Sequence, residues 1–333
     1  AMRSSIVVLS ALLGRMGEGR SCYPGGCLIG ARPIDLHLMA LQALGAEIKE
    51  HDGLIEARCR DAQGLKGTEI HLPYPSVGAT EQAILASVLA KEVTVIHGAA
   101  KEPEISQLCR FLNNMGAVIC GMGTDHLMIQ GVEELHDSSF RVEGDRIVAG
   151  TYAAAVMAAM GSITLKEVRA AELELPLEML KRSGASIQKD SCCRQIRIEM
   201  KKRPLPLDIK TGPYPEFPTD LQSPYMAFLA SGQGTSTIVE QVFEGRFATA
   251  KALVQMGAAV ETEGQRAVIK GSYPLKGASV YASDLRGGAA LAVAALAAEG
   301  ETLINDCQHI ERGYEDICRD MAALGADIRG LDK

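Results

Sequence analysis

Between Ser21 and Leu44 the chain reads SCYPGGCLIGARPIDLHLMALQAL, and two residues in that stretch could do chemistry together, Cys27 and Arg32. Pro24-Gly25-Gly26 can continue neither a strand nor a helix, so the Cys27 thiol is expected on an irregular loop. Arg32 is a permanent planar cation, and Pro33 suits the first turn of a helix whose apolar positions are Leu36, Met39, Ala40, Ala43 and Leu44. A cation and a helix N-terminus beside a loop thiol lower its pKa and attract anions. These residues alone leave open the alternative of a buried cysteine acting as a small hydrophobe.

The elements that must position this stretch belong to a repeat. An apolar helix ending in Gly-Ala and passing into a β-prone stretch occurs as LQALGAEI, FLNNMGAVI, MLKRSGASI, LVQMGAAV and MAALGADI, with the glycines at 45, 116, 184, 257 and 325. Their spacings are 71, 68, 73 and 68 residues, too regular for unrelated helix ends. Glycine suits a helix C-terminus that needs positive φ, and hairpin turns follow at Asp52-Gly53, Gly121 to Asp125 and Glu263-Gly264.

Upstream of four of these glycines lies an alanine-rich helix followed by a strand: 79–89 then 93–96, 152–160 then 163–165, 221–229 then 236–239, and 291–298 then 302–304. Each unit therefore reads helix, strand, helix, strand, strand. Closely packed small helices surrounded by sheets are the expected arrangement. The inner helices are expected to begin at Arg3-Ser4-Ser5, Ser76 to Thr80, Gly150-Thr151, Thr219-Asp220 and Ser283 to Arg286, starts suited to an anion or polar ligand.

A crossing near Ser139 to Asp145 divides the chain into a first domain, 1–143, with two units and a second, 144–333, with three. A symmetric pair of three-unit domains would need on the order of 420 residues. The expectation is that the chain begins inside a sixth unit, and is a fragment or an incomplete enzyme of much reduced turnover.

With 333 residues, 47% hydrophobic and 23% charged, the composition is that of a globular protein large enough for two cores. The net charge of −7 argues against nucleic-acid binding. Nine cysteines at irregular spacing fit a reducing cytoplasm rather than a disulfide framework. Without a CxxC pair or HxxxH-type histidine spacing, no metal site is expected. Ile6 to Leu13 imitates a signal peptide but runs into Arg15, Glu18 and Arg20, so it reads as a core helix, and no apolar run reaches the roughly 18 residues of a membrane span.

Five motifs converge: PGGCLIGARPIDLH at 24–37, SVGAT at 76–80, PYPEFPTDLQ at 213–222, FEGRF at 243–247 with SDLR at 283–286, and HIERGYE at 309–315. Together, over essentially the whole chain, they resemble the UDP-N-acetylglucosamine 1-carboxyvinyltransferases, enolpyruvyl transferases that open bacterial peptidoglycan synthesis. The resemblance implies a two-domain inverse α/β barrel, each domain a threefold repeat, and transfer of the enolpyruvyl group of phosphoenolpyruvate to the 3-hydroxyl of UDP-N-acetylglucosamine with release of phosphate.

It implies Cys27 as the acid that protonates the enolpyruvyl methylene and as the target of fosfomycin, and Asp220 as the base that takes the hydroxyl proton. Arg32, Arg246, Arg286 and Arg312 would hold phosphoenolpyruvate. Arg3, Arg32, Pro33, Ile34, Asp35, Leu36, Ser76, Val77, Asp220 and Val242 would contact the nucleotide sugar. No cofactor is implied. Four departures stand out: Tyr74 replaces a usual lysine, Val148-Ala149 an acidic residue and threonine, Gly245 an asparagine, and Gly287-Gly288 a usual Ala-Ser. A Lys-Asn pair near the family's N-terminus has no counterpart. A catalytically impaired UDP-sugar binder and the related 3-phosphoshikimate enolpyruvyl transferase are the alternatives.

Overall fold

The structure, a computed structural model, describes residues 3–25, 29–31, 33–190 and 192–330. It falls into two compact units, Ala1–Gly26 with Ala31–Val142, and Cys27–Gly30 with Glu143–Lys333. Each has its own apolar core.

In unit 1, a 3-10 turn Arg3–Val7 leads into α1 (Val8–Met16), followed by α2 (Asp35–Ala43), α3 (Val77–Ser87) and α4 (Pro103–Asn114). Unit 2 holds α5 (Arg146–Ala159), α6 (Glu174–Arg182), α7 (Gln222–Ala230), α8 (Thr249–Gln255), α9 (Leu285–Ala295) and α10 (Ile317–Ala323). Helices α2, α4, α6, α8 and α10 are those that run into the repeated glycines.

Gly45, Gly116, Gly184, Gly257 and Gly325 all have φ between 84° and 107°. At the last four, the glycine N–H and the following alanine N–H bond back to carbonyls of the helix's final turn, as in Ala185 N to Leu180 O at 3.0 Å and Ala258 N to Leu253 O at 3.0 Å. The repeat thus rests on one local device, a left-handed residue that satisfies carbonyls the helix leaves open.

Of the remaining helices, α3, α5, α7 and α9 are mostly buried, while α1 buries one face only. All nine residues of α7 are buried, as is the run Gly287 to Ala294 of α9, and α5, α7 and α9 pack on one another. Helix α3 packs likewise on α1 and α2. A helix apolar on every side belongs in an interior, and alanine and glycine let the axes approach closely.

The sheets lie outside the helices and repeat in topology. In unit 1 the strand order is 69–71, 93–97, 126–130, 118–120, and in unit 2 it is 208–210, 235–239, 266–270, 259–263. The first pair is parallel and the others antiparallel in both. Three-stranded sheets in the orders 18–22, 54–59, 46–51 and 162–166, 195–199, 186–190 match each other in the same way.

Helices inside and sheets outside are the arrangement expected of an inverse α/β barrel; the sheets are separate, and among the described residues none closes on itself. The structure corrects two expectations. A three-residue strand precedes α3, α7 and α9 and pairs in parallel with a strand beyond each helix, so the unit contains a β-α-β crossover. Helix α5 begins at Arg146, where the Asp145 carboxylate accepts from Ile147 N and Val148 N at 2.7 and 3.0 Å, so Gly150-Thr151 lies inside the helix.

Candidate functional site

Of the expected nucleotide-sugar residues, Arg3, Pro33 to Leu36, Ser76 and Val77 lie at the N-terminal ends of unit 1's helices. Arg3 Nη2 donates to Pro33 O at 2.8 Å, which ties the first turn to the segment entering α2. Ile34 is buried at that helix's N-cap, while Pro33 and Asp35 are exposed and Leu36 half-buried. Ser76 caps α3, its Oγ accepting from Ala79 N at 3.3 Å, and Val77 is the first helical residue.

His37, a residue the sequence reading gave no role, fixes the spacing of these two helix starts. It is buried with Nδ1 3.4 Å from Gln82 Oε1 of α3, and a Cβ on Gly78 would lie 2.7 Å from its ring. Burial holds its pKa below the ordinary histidine value, and the Arg3 charge adds to that, against the pull of Gln82 and Asp35 in the other direction.

In unit 2, Asp220 lies in a 3-10 turn, Thr219–Leu221, just before α7. Its Oδ1 accepts from Arg246 Nη2 and lies 3.8 Å from Arg286 Nε. The Arg246 side chain is 3% exposed and that of Asp220 43%, so a buried cation holds a carboxylate that remains open on one side. Burial raises the Asp220 pKa, but Arg246 and Arg286, with a smaller contribution from Arg146, outweigh it and hold the carboxyl below its ordinary value.

Arg286 is the second residue of α9, oriented by Asp284, which is buried and accepts from Arg286 N and Gly287 N at 3.0 Å each. Its Nη1 donates to Tyr314 OH at 3.2 Å, and Tyr314 OH meets Thr151 Oγ1 at 2.8 Å. Because Thr151 gives its own proton to Ile147 O at 2.9 Å, the tyrosine donates to the threonine, and the bonds run in one direction from guanidinium to helix. Arg286 Nε, by contrast, is buried with no hydrogen-bond partner among the described residues, a donor available to an anion.

Val242 is positioned by Glu240, a residue the sequence reading missed. The buried Glu240 accepts from Val242 N at 2.8 Å and Phe243 N at 3.0 Å, and from the Thr219 hydroxyl at 2.9 Å. It thereby links the 242–246 loop to the turn bearing Asp220. Arg312 is exposed at the end of the 3-10 turn Cys307–Arg312, 3.3 Å from His309 Nδ1 and two residues before Tyr314. Cys27 and Arg32 lie outside the described residues. Ile29, however, accepts from Gly245 N at 3.0 Å, and a Cβ on Gly245 would stand 3.1 Å from the Ile29 carbonyl carbon, which accounts for a glycine at this departure.

A carboxylate clamped by two guanidiniums, one with an unused N–H, can accept a proton beside a bound anion. The sequence profile of EPSP synthase (3-phosphoshikimate 1-carboxyvinyltransferase) matches residues 1–321. The chain belongs to the enolpyruvyl transferase family. It is 47% identical over 328 residues to UDP-N-acetylglucosamine 1-carboxyvinyltransferase 2 of Caldanaerobacter subterraneus subsp. tengcongensis, which covers 98% of this chain and 78% of that one. The UDP-N-acetylglucosamine 1-carboxyvinyltransferase of Zymomonas mobilis is 48% identical over 98% of this chain and 76% of its own. The enolpyruvyl transferase NikO of Streptomyces tendae shares the fold, with a TM-score of 0.85 at 24% identity over 97% of this chain and 76% of that one.

Proposed function

We propose that the chain transfers the enolpyruvyl group of phosphoenolpyruvate to the 3-hydroxyl of UDP-N-acetylglucosamine and releases phosphate, the first committed step of peptidoglycan synthesis, in the cytoplasm. The observation that carries this reading is Asp220 held between Arg246 and Arg286 at the start of an inner helix. Relatives named for this reaction at 47–48% identity support the choice of substrates.

In the addition step the sugar 3-hydroxyl attacks C2 of phosphoenolpyruvate, Asp220 takes the hydroxyl proton, and Cys27 gives a proton to the methylene carbon. In the elimination step the C2–O bond to phosphate breaks, a proton leaves the methyl group, and the enol ether and inorganic phosphate remain. Arg246, Arg286, Arg312 and Arg32 hold the phosphate and carboxylate, which accept paired hydrogen bonds from guanidinium forks. An incoming anion competes with Asp220 for the guanidiniums, which loosens the clamp that makes the carboxylate a weak base. Arg3, Arg32, Pro33 to Leu36, Ser76, Val77, Asp220 and Val242 hold the nucleotide sugar.

Phosphate release with both substrates, together with calorimetric titration of UDP-N-acetylglucosamine against shikimate 3-phosphate, tests the proposal. Release that needs the UDP-sugar supports it. UDP-sugar binding without release indicates an impaired binder, and preference for shikimate 3-phosphate indicates the shikimate-type transferase.

A further inference from the structure

The outer face of the four-stranded sheet in unit 1 carries a row of histidines unconnected with the candidate site. Strands Glu69–His71 and Val93–His97 pair in parallel with His71 opposite His97, and Val93–His97 pairs antiparallel with His126–Gln130 so that His97 stands opposite His126. Three of the chain's seven histidines thus lie side by side on neighbouring strands. Glu69, two residues before His71, joins the same face, because side chains of a strand alternate. Ile70, Ile96 and Leu127 point the other way and are buried.

The donor atoms converge. Glu69 Oε2 lies 3.4 Å from His71 Nε2 and 3.7 Å from His97 Nε2, and one donor atom from each of the three residues lies within 4.8 Å of the others. Ligands at about 2.0–2.2 Å in a tetrahedral site stand about 3.3 Å apart, so the two edges from Glu69 are close to that length and ring rotation shortens the third. The His71 and His97 rings are stacked, with centroids 4.4 Å apart and planes 4° from parallel. His97 Nε2 is buried without a hydrogen-bond partner among the described residues. A shielded imidazole nitrogen facing a carboxylate and a second imidazole is a ligand set for a cation. Packed edge-on against His97, the His126 ring limits how that ring can turn; its Nδ1 is 2.7 Å from Asp125 Oδ1.

We propose that Glu69, His71 and His97 form a binding site for a divalent first-row transition metal of borderline softness, for which Zn²⁺ is the probe. Two imidazoles and one carboxylate suit zinc and its neighbours, whereas Mg²⁺ and Ca²⁺ require oxygen ligands. Water completes the coordination. The ion cross-links the three-residue edge strand Glu69–His71 to the next strand, so binding stabilises unit 1. Sequence spacing does not reveal the site, because 26 and 29 residues separate the three histidines and only strand register unites them.

The test is competition for Zn²⁺ between the chain, kept reduced, and a chromophoric chelator, with thermal melting alongside. Expected are one saturable equivalent with micromolar or tighter affinity, a metal-dependent rise in melting temperature, and no competition from excess Mg²⁺. H71A/H97A should weaken binding on the order of 100-fold and abolish the rise, and E69Q should weaken it roughly tenfold. The Co²⁺-loaded chain should lack a thiolate charge-transfer band, which separates this site from adventitious cysteine binding. No saturable equivalent, affinity unchanged in both E69Q and H71A/H97A, or a thiolate band would overturn the proposal.

Discussion

Asp220 carries two loads, one chemical and one structural. Asp220→Asn removes the proposed base, so kcat should fall on the order of 10²–10⁴-fold while the dissociation constant for UDP-N-acetylglucosamine changes little; comparison of turnover with direct binding reads this, and near-normal turnover would reduce Asp220 to a partner of Arg246. Its depressed pKa gives stability that is present above the ordinary aspartate value of 3.8 and is lost as pH falls through the lower folded value. Glu240 should behave differently, because it touches backbone N–H groups and a hydroxyl. Glu240→Ala strands those donors and should cost about 2–4 kcal/mol in chemical denaturation, whereas Glu240→Gln keeps an acceptor and should cost about 1 kcal/mol or less. Asp220, Arg246 and Arg286, which the fold brings together, were singled out because the motifs around them resemble those of a known family. Glu240 and Tyr314 were not, since Glu240 bonds to Thr219 at a separation of 21 residues and Tyr314 to Thr151 at 163, and only the folded repeat makes such partners neighbours.

Among the elements, the glycines of the inner helices separate two kinds of position. A Cβ on Gly287 would lie 2.5 Å from Thr249 Oγ1 and 2.9 Å from Asp284 Oδ2, and one on Gly288 2.6 Å from Ile310 Cγ1. At Gly14 in α1 a Cβ would instead rest in ordinary van der Waals contact, with its nearest neighbour at 3.7 Å. Gly287→Ala and Gly288→Ser should therefore destabilise by about 1–3 kcal/mol despite better helix propensity, and Gly14→Ala should stabilise by up to about 1 kcal/mol. Thermal melting of the three variants decides, and equal effects at Gly14 and Gly287 would refute the packing account. The ten helices of the described residues were largely legible, because a glycine-alanine end and an apolar period signal them independently. The three-residue strands EIH, DIK and SVY were not, for their parallel partners lie across a helix and so few residues carry no period. The start of α5 was misplaced because Asp145 was read as part of the crossing and not as the N-cap it is.

At the scale of the whole chain, two cores sharing no residue imply that unfolding need not be one event. His37 belongs to the first, and its folded pKa lies below the ordinary histidine value of 6.5. Above that value both states are neutral there, while below it the unfolded chain takes up the proton first, so unit 1 loses stability as pH falls through this range. Differential scanning calorimetry between about pH 8 and about pH 5.5, across the histidine range, should record a lower melting temperature for one component only. His37→Gln should flatten that dependence, and a single peak that moves as a whole in both proteins would refute it. Two cores that unfold separately give two heat absorptions; acid, which acts through His37, should then pull the peaks apart, and a metal on the Glu69–His71 strand should push the same peak back up.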